Sequence, residues 1–577
     1  MSTADECRDE SGADLVLVNA IVHTCDATLP VAEAVAITRG RICAVGRSAE
    51  IRALSGSRTE VVDLDGRMLV PGFGDAHVHP PQGGVEMLRC DLSRTRTREG
   101  YRSDVSAWCD AHPDDPWLLG GGWSMDAFPG GLPTAAELDD AARGRPAFLP
   151  NRDHHSAWVT TRALELAGVG RDTPDPAGGR IERDDTGVPT GVLHEGAMSL
   201  VGRLLPPTTA AEVRRGLLAA QAYLHSLGIT AWQDAIVGSF HGFDDSFDAY
   251  LDLVEHDQLS ARVVGALWWR RDRGLDQLEE LVDRRSRADA TWQACGGSGS
   301  GGQFRAGSVK IMQDGVCETF TAALLTSYLD HSGHETGNCG LSFFDPEALT
   351  SYVGALDRSG FQVHVHAIGD RAVREALDAL AALPVASRRR ARHHLAHLQV
   401  VHPDDIPRFS ELGVVANFQP LWACADGQMV ELTLPFLGEE RAGWQYPIGS
   451  LCRDGAVLAF GSDWPVSSPD PLAEMHVAVT RLEPPLAGDS PGRFADAPFL
   501  PGEAVSLGEA LRAFTLGSAY VNHLEHETGS ITVGKLADLA VIDRDLFSLD
   551  ASDGAVSDAT VLLTMVGGKV VYESPEL

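Results

Sequence analysis

The middle of the chain alternates short apolar runs with helical stretches, and this rhythm constrains the fold more than any other feature. Helical patterns run over 210–227, 346–359 and 371–383, with strand-like apolar runs between them. Such alternation predicts parallel strands joined by crossover helices. The expected closure is an α/β fold, a (β/α)8 barrel of TIM type, with functional residues at the C-terminal ends of the strands. At 577 residues the chain exceeds one ordinary domain, so accessory parts are expected around the barrel. Its apolar content of 44% is ample for a sizeable core.

The ends of the strand-like runs carry the chemistry. Met68-Leu69-Val70 leads into Gly72-Phe73-Gly74-Asp75-Ala76-His77-Val78-His79. Residues two apart on a strand point the same way. His77 and His79 therefore present two imidazoles on one side, a pairing that suits zinc or another borderline metal. Three later runs end alike: Phe361 to Asp370 carries His364 and His366, Arg392 to Gln399 carries His397, and Val457 to Pro465 stops at Asp463. Between them, Ala306 to Gly315 places Lys310 in mid-strand, where a charged ammonium is costly to bury.

In this order the segments PGFGDAHVHP, GVLHEGA, VKIMQDG, VHVHAIGDRAV, HHLAHLQ, GSDWPV and GSITVGKLADLAVID resemble the amidohydrolase superfamily. Within it, the chain most resembles the branch of YtcJ-like metal-dependent hydrolases and N-substituted formamide deformylase, from about Ala13 to about Tyr572. The resemblance implies a centre of two divalent ions, with zinc the expected metal. His77, His79 and Asp463 would hold one ion, and His366 and His397 the other. Lys310, carboxylated by CO2 to a carbamate, would bridge them at the roughly 3.5–4 Å of other two-metal sites. A shared hydroxide would be the nucleophile, and Asp463 would take its proton and return it to the leaving amine.

The expected division of the chain follows. Residues 1–12 read as a disordered tail. Residues 13–72 and 527–577 are short β runs, neither with room for its own core, and they are expected to meet in one small β-sandwich, as in the family. Residues 73–526 form the barrel. Within it, 81–206 is too long for one βα connection and reads as an inserted subdomain over the barrel mouth.

Substrate contacts are expected from His155, from the aromatics Trp123, Trp158, Trp232, Phe418, Trp422 and Trp464, and from Asp314 and Cys317 beyond the Lys310 strand. So many large aromatics around one mouth suggest an apolar or aromatic substrate group. His154 reads as an exposed loop residue. His364 and His393 share the parity of the ligand histidines but lie deeper, and His394, of opposite parity, is expected to face the helices. Arg441 and Arg481 can each bind a carboxylate.

A formal net charge of −34 disfavours nucleic acid and anionic membranes as partners. A small-molecule substrate is expected, and the subunit count is left open, a homodimer being the assembly considered. The polar start, with no basic or apolar stretch, does not read as a signal peptide. No apolar run approaches the ~18 residues that span a bilayer. Ten cysteines without CxxC spacing suggest neither a disulfide framework nor a thiolate metal site, which fits a reducing cytoplasm. Gly297 to Gly302 matches GxGxxG but lacks the strand before and the helix after that a dinucleotide site needs. The reading is a hydrolase of non-peptide C–N bonds, acting on an N-substituted formamide or a similar small N-acyl amine. The alternatives are a deaminase, a cyclic-amide or N-acyl-amino-acid hydrolase, and a catalytically silent scaffold. A single-metal deaminase would lack the bridging lysine and carry a glutamate near the fifth-strand histidine, where Val365 to Gly369 offers none.

Overall fold

The computed structural model describes residues 12–176, 178–240, 243–296, 301–485, 497–549 and 556–576. The expected tail lies outside them except for Gly12, as does most of the glycine-rich loop at 297–302. Eight parallel strands form one nearly closed sheet, in chain order around the barrel. They are β1 (Phe73–Val78), β2 (Ile229–Val237), β3 (Arg262–Trp268), β4 (Gln303–Met312), β5 (Gln362–Ala367), β6 (His394–His397), β7 (Val415–Phe418) and β8 (Leu458–Phe460). At the closing seam Asp463 N donates to His77 O at 2.7 Å and His79 N to Trp464 O at 2.8 Å. The strands are buried along almost their whole length because one face meets the barrel interior and the other meets helices.

The crossovers are α1 (Pro80–Met87), α2 (Ala210–Ser226), α3 (Phe247–Glu255), α4 (Leu278–Ala294), α5 (Pro346–Arg358), α6 (Asp370–Ala381), α7 (Ile406–Leu412) and α8 (Ile448–Arg453), and α9 (Pro471–Thr480) follows β8. Their starts are encoded locally. Thr209 and Glu212 form a reciprocal capping box on α2, and Asp345 caps α5 ahead of Pro346.

Between α1 and α2 the chain builds a separate six-stranded sheet, ordered Gly179–Arg183, Pro189–Glu195, Ser156–Val159, Ala147–Pro150, Leu118–Gly121, Cys90–Asp91. Two apolar clusters of its own flank this sheet. The chain ends form two further sheets. One joins Arg41–Gly46, Ala34–Thr38, Ala13–Val18 and Ser55–Asp63. The other joins Lys569–Glu573, Val561–Val566, Leu539–Ile542, Met68–Pro71, Ile21–His23 and Val31–Ala32. Leu15, Leu17 and Ile37 of the first share one apolar cluster with Leu69, Leu539 and Val541 of the second. The run Gly529 to Gly534, which reads as a strand, forms turns instead, since Gly529 and Gly534 both take positive φ. Cys43 is disulfide-bonded, a departure from the expectation of unpaired cysteines. No helix among the described residues is long and apolar enough to cross a membrane.

A buried ion pair fastens the barrel to the terminal sheet. Arg262, at the start of β3, donates Nε to Asp538 Oδ2 at 2.5 Å and Nη2 to Oδ1 at 2.8 Å, and both residues are buried. Asp538 Oδ1 also accepts from Gly567 N at 2.7 Å. Removing one member of such a pair leaves an uncompensated buried charge. Arg262→Met is expected to destabilise the protein by roughly 3–5 kcal/mol in denaturant unfolding. A loss below about 1 kcal/mol, the worth of a surface pair, would show that the bridge carries no such weight.

Candidate metal centre

The six residues at the strand ends converge on one cavity at the C-terminal mouth: His77 and His79 from β1 and its end, Lys310 from β4, His366 from β5, His397 from β6 and Asp463 after β8. His77, His79 and Asp463 place their ligand atoms within 4.8 Å of one another. Asp463 Oδ1 lies 2.8 Å from His79 Nε2 and 3.2 Å from His77 Nε2. Lys310 Nζ stands 3.3 Å from His77 Nε2. The His397 ring centre is 4.7 Å from that of His77 and 4.5 Å from that of His366.

Hydrogen-bond polarity fixes which nitrogen each histidine offers. Gln362 Nε2 donates to the backbone oxygens of Arg392 and Val521, so its Oε1 can only accept. Gln233 Nε2 donates to that Oε1 at 3.3 Å and to Asn522 Oδ1 at 2.9 Å. Gln233 Oε1 therefore accepts from His364 Nδ1 at 2.6 Å, and His364 Nε2 accepts from His77 Nδ1 at 2.9 Å. The lone pair of His77 is left on Nε2, the atom facing Asp463 and Lys310. A second chain does the same for His397. Asn417 Nδ2 donates to Ala76 O, Gln419 Nε2 to Asn417 Oδ1, and His397 Nδ1 to Gln419 Oε1 at 2.9 Å. His397 thus also carries its lone pair on Nε2. His366 Nε2 donates to Gly315 O at 3.3 Å, which puts its lone pair on Nδ1. Outer partners that fix tautomers in this way are typical of metal-binding histidines. The donor set of imidazole nitrogens, one carboxylate and one lysine suits a borderline divalent metal.

The surrounding charges are set by burial and by near neighbours. Burial lowers the Lys310 amine to about 7, and its side chain is part of a residue only 3% exposed. Burial pushes the Asp463 carboxyl up, but His77 and His79 outweigh it and hold the group well below the ordinary range. Asp463 adopts a positive φ of 58°, a conformation that aspartate tolerates better than most residues. Beneath it, Asp75 accepts from Ser462 Oγ at 2.6 Å and from the N–H groups of Ser462 and His77 at 3.0 Å, tying β1 to the β8 end. Burial raises Asp75 to about 7.

The expected substrate residues divide by placement. His155 and Trp422 line the cavity. His155 Nδ1 donates to Glu195 Oε1 at 2.7 Å. Burial alone would lower His155, and the Glu195 carboxylate lifts it instead to about 9. Trp422 stacks on the His397 ring at 5.3 Å and donates Nε1 to Ser467 Oγ. The other seven do not line the cavity. On β2, Gln233 points inward, so its neighbour Trp232 faces the helices and packs near His225. Asn417 likewise points inward on β7 and turns Phe418 outward into the core. Trp123 and Trp158 pack edge to face inside the insert, donating to Leu149 O and Thr134 O. Trp464 lies against α1, where a Cβ on Gly83 would fall 2.5 Å from its ring. Cys317 is buried in a cluster with Tyr328 and Phe436. Asp314 accepts three backbone N–H groups, from Ala323, Ile368 and Gly369, and so fastens the loops after β4 and β5.

Three histidines depart from their expected places. His154 lines the cavity, with Nε2 at 3.5 Å from Glu86 Oε1, rather than facing solvent. His394 lies inside the barrel, its ring 4.0 Å from that of His364, while His393 turns toward Asp357 on α5. His397 takes a positive φ of 80°, which breaks the alternation on which a parity count backwards from His397 depends. Gln82, Phe240 and Trp268 also line the cavity, and no motif in the chain marks them. Arg441 and Arg481 are buried and donate to backbone oxygens, away from this cavity.

Comparison with known proteins agrees with this geometry. The amidohydrolase family profile matches residues 60–572. The chain is 33% identical to the protein LONG AFTER FAR-RED 3 of Arabidopsis thaliana, over 97% of this chain and 92% of that one. It is 28% identical to the N-substituted formamide deformylase of Arthrobacter pascens, over 97% and 98% of the two chains. Among solved structures, an uncharacterised metal-dependent hydrolase of Pyrococcus furiosus superposes with a TM-score of 0.67 at 26% identity, covering 92% of this chain and 99% of that one. The chain belongs to the amidohydrolase family and is a metal-dependent hydrolase acting on carbon–nitrogen bonds.

Proposed function

We propose that the protein hydrolyses the C–N bond of an N-substituted formamide or a similar small N-acyl amine with an apolar or aromatic group. The observation that carries this reading is the polarity chain that turns the Nε2 lone pair of His77 toward Asp463 and Lys310, beside a second chain that leaves the His397 lone pair on Nε2. The similarity to a protein named for formamide deformylation supports the substrate class.

On this reading His77, His79 and Asp463 would hold one ion and His366 and His397 a second, zinc being the metal expected. When bound, such ions polarise a carbonyl and lower the pKa of water from 15.7 to about 7. The low amine pKa of Lys310 favours the neutral form, which can form a new N–C bond to carbon dioxide with loss of one proton. The resulting carbamate supplies two oxygens between the histidine groups. Asp463 takes a proton from the attacking water and returns it to the leaving amine nitrogen. His155, held by Glu195, presents its other nitrogen to the cavity as a donor to the substrate carbonyl. Trp422 supplies an apolar wall.

The reading extends to the whole chain. The terminal segments 13–72 and 527–577 form a β-sandwich domain and 73–526 the hydrolase barrel, with 81–206 a subdomain over its mouth. The enzyme works in the cytoplasm, as a monomer or homodimer.

Purified protein is expected to hold about two transition ions per chain by elemental analysis. Chelation is expected to abolish hydrolysis of N-formyl amines such as N-benzylformamide, and added zinc to restore it. Full activity in metal-free protein would overturn the mechanism. Inactivity of the metal-loaded protein across a panel of N-formyl and N-acyl amines would overturn the substrate class.

A further inference from the structure

A second cavity opens beside the metal centre. The two share Asp153, Val316, Ile368, Trp422 and Val466 along a common wall. Its charged residues come from five separate parts of the chain: Arg96, the Arg152–Asp153 pair, Glu318, Asp426 and Glu483. Four carboxylates, of Asp153, Glu318, Asp426 and Glu483, thus face two guanidiniums.

The carboxylates are held in place, and the two guanidiniums offset them only in part, four against two. Asp426 Oδ1 accepts from Met429 N at 2.7 Å, and Glu318 Oε1 from Thr433 Oγ1 at 2.7 Å. Glu483 stands 3.6 Å from Arg96, and Arg96 and Arg152 also act on Asp426. Burial raises the carboxyls of Glu318, Asp426 and Glu483, and neighbouring carboxylates add to it, Asp153 and Asp426 at Glu318, Asp126 at Asp426, and Asp426 at Glu483, while Arg96 and Arg152 oppose the rise at Asp426 and Glu483 without cancelling it. A bound cation would relieve both effects.

An independent feature points to a ligand in the same place. Gln399 is 3% exposed, lines this cavity, and its Nε2 has no hydrogen-bond partner. A buried polar group left without a partner costs about 1–3 kcal/mol. A carboxamide can present either its oxygen or its nitrogen to whatever arrives. Trp422 and Tyr446 add aromatic faces to the same wall, and such faces attract cations.

We propose that this side chamber is a substrate subsite that takes the amine-side substituent when it ends in an ammonium or guanidinium group on an apolar spacer. The inference rests on the hydrolase reading above. Trp422 stacks on His397 and lines both cavities. A substrate with its amide at the histidines therefore runs along Trp422, and its cation reaches Asp426 and Glu318, with Gln399 turned to accept through its carboxamide oxygen.

The test uses the full-length, metal-loaded protein and three formamides of similar length: monoformyl pentanediamine, N-formylhexylamine and N-formylaminohexanoate. A hydrogen bond to a charged group is worth about 1.5–3 kcal/mol, so kcat/KM for the cationic compound should exceed that for the neutral one at least about tenfold. The ratio should fall toward one in the Asp426→Asn/Glu483→Gln double variant. Equal values in the wild type, or preference for the carboxylate compound through Arg152, would overturn the proposal. If the double variant does not fold, judged by its melting temperature, Glu483→Gln alone carries the comparison. If no formamide is hydrolysed, the substrate class proposed above fails, and calorimetry with pentanediamine and pentylamine still decides the chamber. Binding of the diamine about tenfold tighter, lost in the variant, supports it, and equal binding overturns it.

Discussion

Asp463→Asn is expected to lower kcat by about 10²–10⁴-fold, the usual contribution of general acid–base catalysis, while the fold persists and much of the metal remains. The carboxylate stands 2.8 Å from His79 and 3.2 Å from His77, on the side of the cavity where its second oxygen is 3.9 Å from His397 Nδ1. Asparagine keeps the shape and one weak oxygen ligand but cannot accept the proton. It can also keep the positive φ that this position requires. A residue with only a structural role would behave in the opposite way, with a lower melting temperature and unchanged turnover per folded molecule. Measuring kcat, bound metal and melting temperature on one preparation separates the two, and the second pattern would remove Asp463 from the chemistry.

Lys310→Ala is expected to lose both metal and activity. The loss in metal affinity should exceed the roughly 10–100-fold that follows removal of an outer partner, since the carbamate would be a direct ligand. Lys310 pairs in register with His364 on β5, and its Nζ reaches the metal-facing nitrogen of His77. On the proposed reading the side chain would contribute only the carbamate atoms at that point. Short carboxylic acids added together with metal should therefore restore part of both properties. Normal metal content and rate in Lys310→Ala would show that the amine has another purpose, such as a plain cation beside Asp463.

The histidine side of the cavity is legible in the sequence because four of its residues, His77, His366, His397 and Asp463, stand at or just beyond the ends of apolar runs, and Lys310 is a cation inside such a run. The aromatic residues are not legible in the same way. Trp232 and Phe418 sit next to inward-pointing amides on their strands, and a tryptophan near a strand end reads alike whether it faces the mouth or the helices. His394 reads as outward when parity is counted back from His397, and the count fails because His397 itself is left-handed. The Gln233–His364–His77 relay needs three strands in register before its members meet, so no local pattern announces it. The same holds for the side chamber, whose charges are separated in the chain by loops and whole strands.

The sheet that fastens the chain ends has a consequence for synthesis. Met68–Pro71 runs directly toward β1, yet its antiparallel partner, Leu539–Ile542, emerges from the ribosome some 470 residues later. At about 5–20 residues per second this interval lasts roughly half a minute to a minute and a half. Throughout it, Met68–Pro71 has one open edge, and Arg262 lacks the carboxylate that will neutralise it. Open edges are templates for pairing with another chain. Nascent chains of this protein therefore depend on the barrel assembling first and on the last strands arriving before a neighbour's do.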